Sequence, residues 1–485
     1  MLDGYCWPQS ALPGEEIALH VSSSGPFGIE VAREGGERGV VWRADAVAGI
    51  EHLVPPHASA EGCGWPPTVT IPVDEAWRSG FYSVRLTTDD EDAHAFFAVR
   101  PAATRAPILL VLSTSTANAY NDWGGPSLYT GGTRVSFERP LARGFLAKPE
   151  PAARKAQALP DREALGYFAW AAEHDLSQWS GGAGWWTWER PFVAWAEREG
   201  FSIDVAVSQD LEEPPDVLDG HRLLLSVGHD EYWSWGMRDT VEAFLSVGGN
   251  TAFFGGNTCW WQVRFEDDCR AMTCFKYRAD DDPVVGTPDE HLLTGAWPDR
   301  RIGRPESTMT GLSFARGGYS RYGLGVPRAS GAYTVWRPEH WAFEGTGLRY
   351  GDALGLRDAI VGYEVDGCEL TTIDGLPVST HMDGAPDALE VLATAPARLW
   401  SQEEQPSRYA DEPGELEHVA HVLFGEGWRD GLDRLRSNHA VVGSFTHPGG
   451  GVVFNAGCTD WTYGIDGGDP IVQRVTRNVL ERLST

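Results

Sequence analysis

Short apolar runs recur between turn clusters over residues 1–102: Glu16–Val21, Gly28–Ala32, Val40–Arg43, Thr68–Pro72, Phe81–Leu86 and Ala95–Val99. Runs of this length, punctuated by Gly and Pro, predict the strands of a β-sandwich. Pro101 and residues 102–105 read as a boundary, after which the texture changes. Pro107–Leu112, Arg222–Val227, Thr251–Phe254 and Gly451–Ala456 are continuous apolar runs, the pattern of strands buried on both faces. Arg190–Glu199, Trp233–Val247 and Ile471–Leu483 carry helical patterning. Gly200 and Gly248-Gly249 supply helix stops, and Asp469-Pro470 supplies a start. Strands alternating with helices predict an open parallel sheet covered on both faces. The last strand and helix lie far along the chain from the other three, so a long insertion is expected before the chain returns to the sheet. The expected division is an Ig-like β-sandwich over 1–102, an α/β domain over 103–275 with 436–485, and an insertion over 276–435 that contributes to the site.

Charge narrows the range of partners. The 485 residues carry 39 Lys plus Arg against 69 Asp plus Glu, a formal net charge of −30. Such a surface repels phosphate backbones and anionic headgroups, which argues against nucleic acid and membrane as partners. No apolar run approaches the length of a membrane span. Met1–Ser10 has neither a basic start nor an apolar stretch, so no secretory leader is expected and a cytoplasmic location is. The seven cysteines are odd in number and lack CxxC spacing, which excludes a disulfide framework or zinc ribbon as the organising device. The 21 tryptophans imply heavy aromatic packing or an aromatic-lined pocket.

In an open parallel sheet, ligands bind beyond the carboxyl ends of the strands. The first such end leads to Asn118–Tyr129, where Tyr120, Asn121 and Trp123 line a pocket or pack on the core. The second leads to Gly228–Ser234, with His229, Asp230, Glu231 and Tyr232. Those groups suit acid–base chemistry or a hard metal, and they equally suit helix capping. The third leads to Gly255–Trp261, with Asn257 and Cys259, the latter a nucleophile, a ligand or a small buried hydrophobe. The fourth leads to Asp460, Trp461 and Tyr463. Two loop segments carry carboxylates: Glu306, and Glu364 with Asp366. No HExxH helix, GxSxG elbow, Walker loop or strand-following GxGxxG is present, which excludes the commonest hydrolase and nucleotide-binding types.

These segments together resemble a known family. They are Gly4-Tyr-Cys-Trp-Pro-Gln-Ser with Pro13-Gly14-Glu15, the Tyr-Asn-x-x-Gly-Gly-x-Ser-Leu-Tyr run ending at Tyr129, and Gly228-His-Asp-Glu-Tyr-Trp-Ser. Gly255-Gly-Asn, Pro305-Glu-x-x-x-Thr-Gly and Ala456-Gly-x-x-Asp-Trp complete the set. The chain resembles the N,N-dimethylformamidase large (beta) subunit family over nearly its whole length. The resemblance implies a β-sandwich followed by a glutamine-amidotransferase-like (flavodoxin-like) α/β domain. It also implies mononuclear Fe(III) held by two tyrosines and a glutamate, and hydrolysis of a small amide. Carried onto this sequence, one tyrosine is Tyr232 and the glutamate is Glu306, with Glu364 in reserve. The second tyrosine should fall within Trp185–Phe192, and that stretch contains none. Glu189, His229 or Tyr120 could take its place, or another divalent metal or none could be bound.

The expected activity is hydrolysis of the C–N bond of a small amide by metal-activated water, with His229 or Glu231 moving the proton. Tyr120, Asn121, Trp123, Trp185, Asn257 and Asp460 would line the pocket. Two other classes stay open: a metal-free hydrolase using Cys259, and a non-catalytic carbohydrate binder. Beyond the small-molecule substrate, the expected partner is a second copy of the chain or a small accessory subunit.

Overall fold

The computed structural model describes residues 2–102, 106–154, 163–212, 215–322, 329–404 and 414–485. Residues 103–105, inside the expected first boundary, lie outside the described residues. The architecture is mixed α/β, with several sheets and, among the described residues, no barrel. The chain forms two compact units. One comprises Met1–Ala152, Trp170–His221 and Arg264–Cys274; the other comprises Ala153–Ala169, Arg222–Val263 and Phe275–Thr485.

The first unit opens with two sheets. Leu2–Trp7, Glu16–Ser23 and Val69–Pro72 form an antiparallel three-stranded sheet. The second sheet has the order Ser10–Ala11, Asp92–Val99, Gly80–Thr87, Phe27–Glu34, Gly39–Val47. Ile17, Leu19 and Val21 from the first and Val31, Val84, Leu86 and Phe97 from the second bury their side chains in one core. The spacing of two between them follows from the alternation of side chains along a strand, and each buried aliphatic or aromatic group contributes about 1.5–3 kcal/mol. Leu2–Trp7 is a strand that the apolar pattern does not predict, because Gly4 separates Leu2 from Cys6 on one face and Tyr5 and Trp7 make the other face apolar too.

Ile108–Leu112 follows, buried along its whole length and paired in parallel with Ile203–Val207. The second of these strands escapes sequence patterning because Asp204 breaks the apolar run. Asp204 is tolerated because its carboxylate accepts from the Ala106 amide at 2.7 Å and lies 3.1 Å from His221 Nε2. The helix expected near Arg190 spans Glu189–Arg198, and Gly200 with φ 91° closes it.

In the second unit, Leu223–His229 pairs in parallel with Asn250–Gly256, which pairs in parallel with Val452–Asn455. The late strand thus rejoins the early ones, as the sequence predicts. The sheet is mixed, however. Asn438–Thr446, Glu390–Ala397, Tyr333–Val335 and Ala353–Leu354 extend it antiparallel, and three of these four come from residues 276–435. The tight turn between Thr446 and Val452 permits nothing else, since parallel neighbours need a long crossover. Ser313–Tyr319 and Glu364–Gly367 form a separate antiparallel pair.

Two helices of this unit show their sequence logic plainly. Trp235–Ser246 starts two residues later than its pattern suggests, because Tyr232–Ser234 is extended beside Trp261–Val263. Ser234 caps it, its hydroxyl accepting from the Met237 amide at 3.0 Å. Pro470–Leu483 buries Val472, Val475, Val479, Leu480 and Leu483 on one face. Asp469 caps it, accepting from the amides of Ile471 at 2.9 Å and Val472 at 3.2 Å. No described helix is long and apolar enough to cross a membrane. Replacing Asp469 by Ala removes both cap bonds. Chemical denaturation should show a loss of about 1 kcal/mol; an unchanged midpoint would mean that the cap contributes nothing to this helix.

Candidate active site

Glycines open the site. In the parallel pair, Gly228 stands opposite Gly255 and His229 opposite Gly256. A Cβ on Gly255 would come within 2.6 Å of the Gly228 carbonyl oxygen, and one on Gly256 within 2.5 Å of the Glu364 carbonyl oxygen. Only glycine therefore lets the strand that starts at Glu364 lie against these strand ends. Asn257 and Cys259 follow with φ of 52° and 57°, a left-handed turn that swings the chain back. Asp366 fixes that turn, accepting from the amides of Asn257 at 2.8 Å and Thr258 at 3.1 Å. Glu364 and Asp366 are two apart on one strand and so face the same side.

His229 is the hub. It is 2% exposed, and its Nε2 lies 2.6 Å from Glu364 Oε2 and 3.5 Å from Glu231 Oε2. Two carboxylates on one ring nitrogen assign the proton to Nε2. The Asn257 amide donates to the same Glu364 oxygen at 3.0 Å, and the Trp261 indole N–H donates to Glu231 Oε1 at 2.7 Å. The Tyr363 ring meets the imidazole edge-on, 5.8 Å between centroids. Asp460 accepts from the Tyr363 amide at 3.0 Å and so steadies the residue next to Glu364.

Around this hub lie acids whose burial favours the neutral form. Burial pushes Asp230 up to about 6, against hydrogen bonds from Ser226 and Trp233. It pushes Asp366 up to about 7, against the two backbone donors. It pushes Glu306 up to about 8, against the Ser313 hydroxyl that donates to its Oε1 at 2.5 Å. Burial also drives the Cys259 thiol well up, and that side chain is 0% exposed. Cys259 therefore offers no thiolate at neutral pH. Tyr232 is buried too, with the Lys276 ammonium 5.7 Å from its ring centroid.

The second unit thus brings together His229, Glu231, Glu364 and Asn257, with Asp460 one step behind. Glu306 is engaged with Ser313. The remaining expected pocket residues belong to the first unit, where each has a packing role. The Tyr120 hydroxyl accepts from that of Tyr129 at 2.7 Å. Asn121 donates to the Pro140 carbonyl at 2.9 Å and accepts from the Trp123 and Ala142 amides at 3.1 and 3.0 Å. Trp123 meets Trp65 edge-on, and Trp185 stacks on Phe81 with centroids 4.0 Å apart. Glu189 accepts from the Ser113 amide at 2.7 Å. Trp261, Tyr363 and Lys276 were not singled out from the sequence. Only the position of Trp261 at the end of the Gly-Gly-Asn segment could have signalled its role. Among the described residues, no group of three or more His, Cys, Asp or Glu side chains is arranged to hold a metal ion.

With this geometry in hand, comparison with known proteins defines the class. The family described as "N,N-dimethylformamidase beta subunit-like, C-terminal" matches residues 29–475. The chain belongs to that family. It is 25% identical over 357 residues to the N,N-dimethylformamidase beta subunit of Alcaligenes sp, covering 66% of this chain and 44% of that protein. It is 27% identical over 206 residues to the N,N-dimethylformamidase beta subunit of Paracoccus aminophilus, covering 40% of this chain and 26% of that protein. The chain thus spans less than half the length of each of these relatives.

The buried acids make stability depend on pH. The Glu306 carboxyl has an ordinary value of 4.5 and is pushed up to about 8 in the fold. Between those values the folded chain holds a proton that the unfolded chain has released, so stability falls as pH rises through the window. Glu306→Gln keeps the acceptor for Ser313 and lacks the titration. Its Tm relative to wild type should climb from about pH 5 to about pH 9; parallel Tm curves would show that Glu306 is not held neutral.

Proposed function

We propose that this chain is the catalytic chain of an amide hydrolase that cleaves the C–N bond of a small amide, with His229, Glu231, Glu364 and Asn257 as its working groups. The observation that carries the reading is the buried His229 Nε2, 2.6 Å from one carboxylate and 3.5 Å from another, at the carboxyl end of a central strand. The names of the relatives supply the reaction class.

Amide hydrolysis needs a base for water, a donor for the departing nitrogen and a group that keeps both in place. Starting from the imidazolium, transfer of the Nε2 proton to Glu364 leaves a neutral ring, whose Nε2 accepts a proton from water as the water oxygen bonds to the carbonyl carbon. The carbonyl electron pair moves onto oxygen. As the pair returns and the C–N bond breaks, the imidazolium gives the proton to the amine nitrogen. Glu231, held by Trp261, steadies the positive charge on the ring, as a buried carboxylate does for a catalytic histidine. Asn257 holds Glu364 in line by its amide hydrogen bond.

Ferric iron, implied by the resemblance, needs phenolate and carboxylate oxygens that converge. Tyr232 and Glu306 carry the oxygen donors that would hold it, and Glu306 Oε2 is buried without a hydrogen-bond partner among the described residues. Glu306 Oε1 accepts from the Ser313 hydroxyl, and the Lys276 ammonium lies 5.7 Å from the Tyr232 ring centroid. The same reading takes the two N-terminal sheets, which share one core, as a β-sandwich. It takes the parallel strands as the centre of an amidotransferase-like, flavodoxin-like sheet. Because the relatives are named as subunits, the partner is a small accessory subunit or a second copy of this chain.

Purified protein should release ammonia from formamide, or amine from N,N-dimethylformamide or another small alkylamide. His229→Asn and Glu364→Gln should each lower kcat/KM by about 10²- to 10⁴-fold while circular dichroism stays unchanged. Full activity in both variants would remove the proposed centre.

A further inference from the structure

The second unit also holds a cavity of about 310 Å³ beside the helix Glu415–Phe424. It has depth: among its lining residues Lys276, Ala296 and Asp299 are buried, whereas Asp280 and His421 are exposed. Three carboxylates line it, and each is already engaged. Asp280 and Asp299 both hold Arg301, at 2.7 Å apiece, and Glu417 accepts from the Gln402 amide at 3.0 Å. The other polar groups of the lining are Lys276, His418 and His421. The Lys276 ammonium lies 5.1 and 5.5 Å from the ring centroids of Trp261 and Tyr277. His418 packs edge-on against Tyr277, 4.6 Å between centroids, and its Nε2 is buried without a hydrogen-bond partner among the described residues. Val422 and Trp428 add an apolar wall.

We propose that this cavity binds a small monocarboxylate, with Lys276 and His418 at the carboxylate and Val422 and Trp428 against a short apolar tail. A buried polar nitrogen without a partner asks for one, and a carboxylate oxygen supplies it. The sign of the ligand follows from the charges around His418. Burial pushes its imidazole down to about 3, and His421 and Lys276 press in the same direction, with Asp299 opposing them. Neighbours that disfavour a cation at this place favour an anion there, and a neutral ring with its proton on Nε2 donates to that anion. The engaged carboxylates do not cancel this preference, since Arg301 takes up two of them. The size of the cavity suits a ligand of few atoms. The His418 ring also packs on Trp261, 5.8 Å between centroids, and Trp261 donates to Glu231 beside His229. The cavity thus lies one aromatic ring behind the His229 cluster. A small carboxylate is the class of acid that amide hydrolysis releases, so the cavity is a site for the acid product. That last identification rests on the hydrolysis proposed above; the binding site itself rests on the cavity.

Calorimetric titration of the full chain with sodium formate, acetate and propionate, at constant ionic strength, tests the site. One carboxylate should bind per chain, and affinity should rise about fourfold with each added methylene. Lys276→Met and His418→Phe should each weaken propionate about tenfold or more. Trp428→Ala changes a half-buried wall residue and should flatten the dependence on tail length; it serves alone if the two buried variants do not fold. Absence of saturable binding would overturn the proposal. So would binding that none of these substitutions alters, or tighter binding of propylammonium than of propionate. A chain that binds propionate here and hydrolyses no amide would keep the site and overturn the function proposed above. Amide hydrolysis without carboxylate binding would overturn this inference alone.

Discussion

The hydrogen bond between His229 and Glu364 is the constraint around which the second unit is organised. Neither group is stable alone in a water-poor interior. A lone carboxylate there would take up a proton, and a lone imidazolium would lose one. Together they can share a proton, and Glu231 and Asn257 complete the set. Removing one partner from a buried pair of this kind typically costs about 3–5 kcal/mol, because the other is left uncompensated. The same mutual dependence leaves a proton that a substrate can borrow.

That hydrogen bond requires backbones from distant parts of the chain to come close. Gly255 and Gly256 permit it, since any Cβ there would strike a carbonyl oxygen at 2.6 or 2.5 Å. Asp366 then anchors the turn carrying Asn257, and Asp460 anchors Tyr363. The glycines, the buried aspartates and the left-handed asparagine are therefore parts of one device. Local backbone permissiveness gives approach, and buried acceptors convert approach into fixed geometry. Burial raises Asp230 to about 6, Asp366 to about 7 and Glu306 to about 8, so Glu306 stays largely neutral and Asp366 partly so near pH 7, which limits the negative charge stored in one place.

The sequence reveals what is local and conceals what is not. His229 and Glu231 are legible because a continuous apolar run ends at them, and strand ends are where an α/β sheet binds ligands. Asn257 is legible for the same reason. Glu364 is visible only as a loop carboxylate held in reserve, because its value comes from pairing with a histidine 135 positions away. Tyr120, Asn121, Trp123 and Trp185 carry the right chemistry, and the structure gives each a packing role within the first unit. The strand Ile203–Val207 is hidden by Asp204, whose charge is satisfied by groups that no pattern reports. The antiparallel extension of the sheet is equally hidden, since short strands such as Tyr333–Val335 have too few residues to show a period.

The sharing of a proton between His229 and Glu364 is most directly visible in the low-field proton NMR spectrum. A 2.6 Å contact between imidazole nitrogen and carboxylate oxygen should place the Nε2 proton well downfield of ordinary histidine N–H signals. Such a resonance is expected in the wild type and should be lost in Glu364→Gln. A spectrum without it, or one in which it survives that substitution unchanged, would contradict the claim that these two residues form the working pair.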